Sequence, residues 1–423
     1  MRKKILVVGP ALSRSGYGEQ CRFALRSLKA HEERFDIYLQ NINWGQTGWV
    51  ISFSEERKWL DKLLLKTAQH RAQGGQFDIS LQVTIPNEWQ KLAPVNVGYT
   101  AGIESDRIAP VWIEKSQLMD RLIVISNHAK YGFDNTAYEA TNNQTGQEFV
   151  LKNSVPVEVV SYPVRHYEPV DIELGLEADF NFLTVSQWGP RKNLGNTIQG
   201  FVEEFIDQKV GLIAKTSLRN NSLTDRRASE ERISRLLEAY PQRQCKVYLL
   251  HGDMTPNEMT SLYRHPKIKA LISLSHAEGF GLSTFEAAYN GLPVIAPNWS
   301  GHMDFMCMPV KSKKKGKVKE KIKSMFATVD YTIAPVQKEA IWDGVIQADS
   351  QWSYPKQGSY KMRLREMVKD HGRYKKQALA LQAHVLKEFS AEAQYESFAN
   401  NVYAEEEHDL EGWLEDFDAE VHA

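Results

Sequence analysis

Cysteine is scarce in this chain of 423 residues. Cys21, Cys245 and Cys307 are all there is, too few and too scattered for a disulfide framework or a zinc site, and no pair has Cys-x-x-Cys spacing. A reducing, cytoplasmic compartment is the expectation. An excess of one charge is missing as well: 52 Lys and Arg stand against 53 Asp and Glu, a net charge of -1. No global field draws the chain to nucleic acid or lipid, so any polyanion contact must be local. Long hydrophobic runs are also absent, none approaching the roughly 18 residues that span a bilayer. The basic start Met1-Arg-Lys-Lys with its apolar run Ile5 to Val8 is too short for a signal peptide, and Ser13-Arg14-Ser15-Gly16 stands where a cleavage site would need small residues in frame.

What is present is ordinary for a folded protein: 42% hydrophobic, 10% aromatic and 25% charged residues. At about 150 residues per domain the length predicts two or three compact units. Ile5 to Val8 is a continuous apolar run, as expected of a parallel strand covered on both faces. The turn Gly9 to Gly18, a helix over Tyr17 to Leu28 and a strand from Phe35 to Leu39 complete one β-α-β unit. Further strands are expected at 77–81, 95–99, 122–125 and 155–160. The stretch 163–179 has no strong period and reads as a linker. The pattern then restarts with strand candidates at 182–185, 210–214, 247–250, 270–274 and 294–296, and one long helical segment covers 374–403.

The predicted architecture is therefore α/β, with two Rossmann-like doubly wound domains facing across a cleft. A first domain spans 1–165, a second 179–375, a closing helical segment 376–403 and an acidic tail 404–423. Ligands of such sheets bind outside the carboxyl ends of the strands, so the facing loops carry the chemistry.

The most informative loop is His276-Ala-Glu278-Gly-Phe-Gly-Leu-Ser-Thr-Phe-Glu286, followed by Ala287-Ala-Tyr-Asn-Gly-Leu-Pro-Val-Ile-Ala296. It follows a predicted strand and opens a predicted helix. Gly279 and Gly281 let backbone approach a ligand, and free N–H groups at a helix start favour an anion such as diphosphate. Glu278 ahead of that anion site and Glu286 on the helix can each accept hydrogen bonds from hydroxyls. A phosphate between two polyol-binding carboxylates describes a nucleotide sugar. A plainer reading stands beside it: Ser283-Thr-Phe-Glu286 is also a capping box, with Glu286 returning to the Ser283 N–H. That box requires neither Glu278 nor the glycines flanking Phe280.

The two glutamates, the Gly-Phe-Gly-Leu between them and the Glu-Ala-Ala-x-x-Gly-x-Pro-Val-Ile-Ala that follows resemble the signature of glycosyltransferase family 4, retaining enzymes of GT-B fold. The resemblance implies that Glu286 binds the ribose hydroxyls and Glu278 the transferred sugar, with Gly279, Phe280, Gly281 and Leu282 bordering sugar and diphosphate. Thr184 to Asn193 is similar to the family's strand and loop in which an Arg and a Lys grip the diphosphate. Lys192 matches the lysine, but Gln187 stands at the arginine position, and a neutral amide does not replace a guanidinium; Arg191 or Lys215 is the expected compensation. Leu249 to Met254 resembles the base-binding loop. Gly16, Tyr17 and Gly18 occupy the first-domain loop that approaches the phosphates in this fold, though a tight turn explains them equally. Glu104 and Asp106 are acceptor-side candidates, or else ordinary acids at a helix start. Catalysis is thus assigned to Glu278, Lys192, Lys215, Glu104 and Asp106, with no metal and no cofactor, because no Asp-x-Asp stands in a suitable position. The likeness is strong over 182–297 and faint beyond Ser300.

The expected activity is transfer of a sugar from a nucleoside diphosphate sugar to a hydroxyl acceptor. Lys311 to Lys323, with eight lysines and one glutamate, reads either as a solvated mobile loop or as a contact for nucleic-acid phosphates or an anionic membrane. The second choice keeps open a virus-encoded enzyme, acting in host cytoplasm on hydroxymethylated pyrimidines of DNA. A non-catalytic nucleotide-sugar-binding scaffold and a sugar epimerase of the same fold are the remaining alternatives. The acidic end is either a segment shielding the lysines in cis or a disordered tail, and Trp413 and Phe417 leave room for a short docking helix.

Overall fold

The computed structural model describes residues 2–45, 47–142, 144–314 and 317–404, without the side chains of 312–318; the expectations for Lys313 to Lys315, Lys317 and the acidic end 405–423, with Trp413 and Phe417, fall outside what is described. Two six-stranded sheets, parallel throughout, organise the chain. The first has the order Phe35–Asn41, Lys3–Gly9, Ile79–Val83, Val95–Thr100, Arg121–Val124, Val157–Val159. The second has the order Lys246–Leu250, Gly211–Ser217, Asn181–Gln187, Ile268–Ile272, Val294–Pro297, Ala327–Val329. Strands such as Ile79–Val83 are buried along their whole length, which is why they read as unbroken apolar runs instead of alternating ones. The expected strands appear with ends moved by one to three residues; Phe77, for example, precedes its strand, which runs on to Val83.

In the second sheet the chain passes outward from Asn181–Gln187 to one side and returns to Ile268–Ile272 on the other. These two strands are neighbours whose following helices diverge, and the crevice outside their carboxyl ends is the topological switch point where open α/β sheets bind ligands. The loop after Gln187 carries Arg191 and Lys192, and the loop after Ile272 carries Glu278. Sheet topology alone brings these residues together across some 86 positions of sequence.

The closing segment is two helices. His371–Glu388 packs on the helix Leu282–Tyr289, whereas Ala391–Val402 crosses back onto the first-domain helix Gly16–Lys29. There Phe398 meets Phe23 with ring centroids 5.2 Å apart, and the Arg121 guanidinium donates to the Asn401 carbonyl at 3.0 Å. The break lies at Phe389-Ser390, where Ser390 caps the second helix by accepting from the Ala393 N–H.

Among the described residues, three two-stranded antiparallel sheets decorate the frame: Ala137–Thr141 with Glu148–Lys152, Cys307–Lys314 with Lys317–Ser324, and Tyr331–Pro335 with Gln351–Pro355. The second of these replaces the loop expected over 311–323, because alternating lysines with Val318 and Ile322 satisfy a strand period as readily as a charge run. Gly16, Tyr17 and Gly18 are not in the turn but form the first turn of the helix Gly16–Lys29, which Ser15 caps by accepting from the Gly18 N–H at 3.0 Å.

Gly18 has a steric reason to be glycine, since a Cβ there would run into the Ser13 carbonyl, while a Cβ on Gly16 meets open space. Gly18→Ala should therefore cost about 1–3 kcal/mol of stability, and Gly16→Ala less than about 0.5 kcal/mol. Urea denaturation of both variants checks the contrast.

Candidate active site

Glu278 lies at the heart of the crevice, only 8% exposed. Its carboxylate accepts from Lys192 Nζ at 2.5 Å and from Arg191 Nη1 at 3.1 Å. Burial works against ionisation, but Lys192 and then Arg191 outweigh it and hold the carboxyl down to about 2. Lys192 is pushed below the usual lysine range, first by burial and then by the neighbouring Arg191. Backbone supports the carboxylate from behind: the Glu278 N–H donates to Ser300 Oγ at 3.0 Å, and its carbonyl accepts from the Gly301 N–H at 2.9 Å. Ser300 holds this contact at φ 85°, a left-handed conformation that costs a serine of order 1 kcal/mol or more.

The loops themselves are tied together. His276 N–H donates to the Arg191 carbonyl at 2.8 Å, and Asn193, itself left-handed, donates from Nδ2 to the Leu274 carbonyl at 3.2 Å. Gly281 has φ 97° and begins the helix Leu282–Tyr289 with no side-chain cap. Ser283 therefore does not act as the cap of a box with Glu286. Glu286 lies in the second turn, and its carboxylate accepts from the Tyr263 hydroxyl at 2.8 Å. Neither glutamate is spent on its own helix start.

Glu286 opens into a cavity of about 250 Å3 lined by Tyr263, Leu282, Met254 and Met259 from the second domain and by Glu19 and Arg165 from the opposite side. Met254 and Met259 also line the adjoining cleft of about 290 Å3, where Lys215, Gln187, Ser186 and Arg14 face one another. Gln187 borders in turn a third hollow of about 300 Å3, which holds Arg191, Lys192 and Trp188. A groove thus leads from Glu286 past two methionines to Lys215 and on to Lys192. Lys215 donates to the Gly252 carbonyl at 2.5 Å, and burial lowers its pKa. The Gln187 amide donates to the Leu218 carbonyl and carries no charge into the groove. Among the described residues no cluster of three or more His, Cys, Asp or Glu side chains could hold a metal ion.

The first domain presses on this site. Glu104 Oε1 stands 3.2 Å from Arg191 Nη2, so Arg191 bridges two carboxylates, Glu104 and Glu278, which hold it charged against the effect of burial. Ser126 Oγ donates to the Gly279 carbonyl at 2.5 Å, and a Cβ on Gly279 would come within 2.7 Å of the Ala101 carbonyl. Phe280 packs on Tyr162 at 5.1 Å between centroids. Asp106 turns instead to the second domain's edge, accepting from the Gln351 N–H at 2.7 Å, next to an Arg107–Asp349 ion pair and a Trp352 indole that donates to the Glu104 carbonyl. Tyr17 donates to or accepts from Thr100 at 2.8 Å and stacks near Trp44, inside its own domain. Neither Glu104 nor Asp106 begins a helix; the next one starts at Pro110. Ser300 and Ser126 touch the candidate site and were passed over by motif reading, because a lone hydroxyl carries no signal until its partner is known.

The two glutamates make opposite demands on pH. Burial pushes the Glu286 carboxyl up to about 7, so between the ordinary glutamate value and about 7 the folded chain holds a proton that the unfolded chain has released. Stability should fall as pH rises through that window, by up to about 3 kcal/mol. Glu278 acts the other way: its contribution is complete above the ordinary value and is lost as pH falls toward about 2. The parent's melting temperature should slope downward from about pH 5 to 7, and Glu286→Gln should lose that slope.

Comparison with known proteins agrees with this frame. Residues 223–398 match the model of the Family 4 Glycosyltransferase in conflict systems, so the likeness extends well past Ser300, where the motifs had faded. Two forms of the serotype-specific mannosyltransferase WbdA of Escherichia coli are each 28% identical over 206 residues, 46% of this chain. The chain spans less than a quarter of the length of these curated relatives, 23% and 22%. HepE of Anabaena, solved with UDP and glucose, superposes with a TM-score of 0.59 at 13% identity, covering 96% of this chain and 100% of its own. Sucrose-phosphate synthase of Thermosynechococcus elongatus gives 0.60 at 14% identity, covering 94% and 98%. At such identities the superpositions speak for the fold. The chain therefore has the GT-B fold, and over residues 223–398 it is similar to a family 4 glycosyltransferase.

Proposed function

We propose that the chain transfers a sugar from a nucleoside diphosphate sugar to a hydroxyl acceptor, with retention at the anomeric carbon and without a metal. The observation that carries this reading is the groove itself: a buried, cation-paired Glu278 at one end, a desolvated Glu286 at the other, and Lys192 and Lys215 between them. Ribose hydroxyls donating to Glu286 anchor the nucleotide beside Met254. The diphosphate lies along the Lys215 side, at the uncapped start of the helix Leu282–Tyr289, and the sugar reaches Glu278 past the backbone of Gly279 to Leu282. As the bond from the anomeric carbon to the phosphate oxygen breaks, its electron pair passes to the diphosphate, whose growing charge Lys192 and Lys215 stabilise. The acceptor oxygen bonds from the same face, and its proton goes to the departing phosphate oxygen, so no protein nucleophile is needed.

Gln187 leaves one charge fewer than the family resemblance implies, and Arg191, which lines the same hollow, is the guanidinium that compensates. Glu104 and Glu278 both engage it, so binding a diphosphate requires Arg191 to exchange a carboxylate for a phosphate. Glu104 then faces the acceptor side across the sugar, and Asp106 serves to hold the two domains together. The name of the Anabaena neighbour makes UDP-glucose the first donor to test, and that of the E. coli relatives adds nucleotide-activated mannose.

Glu286→Ala should raise the Kd for the donor about 10- to 100-fold, while Lys192→Ala should lower kcat about 100- to 1000-fold with a smaller change in KM. Steady-state release of nucleoside diphosphate measures both. Unchanged turnover in both variants would sink the reading. No slow hydrolysis of any donor in a panel would leave the scaffold alternative, which the neutral Gln187 favours, and an isomerised donor would indicate an epimerase.

A further inference from the structure

The antiparallel hairpin Cys307–Lys314 and Lys317–Ser324 has no part in either sheet. Its register pairs Met308 with Lys323, Val310 with Lys321 and Ser312 with Lys319. Directly paired residues share a face of a two-stranded ribbon and successive residues alternate. Lys319, Lys321 and Lys323 therefore lie on one face, and the residues opposite them in the ladder are a serine, a valine and a methionine. On the other face Lys311 pairs with Glu320, their charged atoms 4.0 Å apart, and Pro309 pairs with Ile322, which is largely exposed. Among the described side chains, positive charge is thus concentrated on one side of the ribbon, in a chain whose total is -1.

The root of the hairpin gives the charge a location. Met325 N–H donates to the Met306 carbonyl at 3.0 Å and Ser324 Oγ donates to Asn298 at 3.2 Å. The same 298–302 loop supplies Ser300 and Gly301 to Glu278. Asp304, just before the hairpin, accepts from the Asn127 N–H of the first domain at 2.7 Å. Eight residues per strand at about 3.4 Å each make an arm roughly 25 Å long, rising from the wall of the cleft that holds Glu278.

We infer that this arm binds nucleic acid and presents it to the cleft as the acceptor. A two-stranded β-ribbon fits the DNA major groove, and lysines along one face neutralise backbone phosphates. A membrane-surface element would instead set Trp, Phe or Leu on the face that meets the lipid, whereas the exposed Ile322 lies on the face away from the three lysines. The inference rests on the glycosyl-transfer reading only for the word acceptor; binding by the arm stands or falls by itself.

Fluorescence anisotropy of the full chain on an unmodified duplex of about 30 base pairs, from about 25 to 200 mM salt, tests it. Log K should fall linearly with log salt, and Lys321→Gln with Lys323→Gln should reduce that slope by about 1.8, near 0.9 for each phosphate that is no longer neutralised. The Lys321→Arg, Lys323→Arg pair should keep the slope, and nucleoside diphosphate release from a donor should be the same in all three proteins. An unchanged slope in the Gln pair, no binding at the lowest salt, or binding to phosphatidylserine vesicles in preference to the duplex would overturn the inference. Intact duplex binding with no donor turnover would overturn the transferase reading and leave the arm standing.

Discussion

Taking Glu278 out of water costs several kcal/mol unless cations come with it, and the crevice is arranged around that requirement. Arg191 and Lys192 arrive from the loop after one strand, Glu278 from the loop after its neighbour, and the backbone link from His276 to Arg191 keeps the loops in register. Two cations on one carboxylate leave an excess of positive charge, which Glu104 of the first domain balances through Arg191. The ion cluster of the site is therefore also an inter-domain contact. A ligand bearing two negative charges and several hydroxyls can take over both tasks, the phosphates replacing carboxylates on the cations and the hydroxyls replacing cations on Glu278.

The domains are joined by more than this cluster. The helix Ala391–Val402 returns to the first domain, Asp106 and Arg107 hold the 349–352 segment, and Val345 packs within the first-domain core around Trp112. Ser126 and Ala101 meet the backbone of Gly279 directly. Gly279 belongs to the motif for a reason beyond approach to a ligand: any side chain there would part the domains.

Much of this was legible in the chain. Unbroken apolar runs marked the parallel strands because both faces of each sheet are covered, and the motif from Glu278 to Ala296 marked the candidate site because its glycines and acids have no common structural explanation. Other features left two readings open for physical reasons. Ser283 and Glu286 have the spacing of a capping box, yet the left-handed Gly281 starts the helix one residue before Ser283, so Glu286 points into the groove. The lysine run satisfied a charge pattern and a strand period at once, and only pairing with 307–314 decides between them. Glu104 and Asp106, two residues apart, looked equivalent; one faces Arg191 and the other a backbone N–H of the opposite domain.

The sequence by itself determined the two α/β halves and the glycine-bordered pair of acids, since these depend on local periodicity and on residue types at short spacing. The tertiary structure decided which cations neutralise Glu278, what holds Glu286, where the closing helices pack and on which side of a ribbon the lysines fall. Those outcomes depend on strand order and register, which set contacts between residues far apart in the chain and leave no mark on the neighbours of either one.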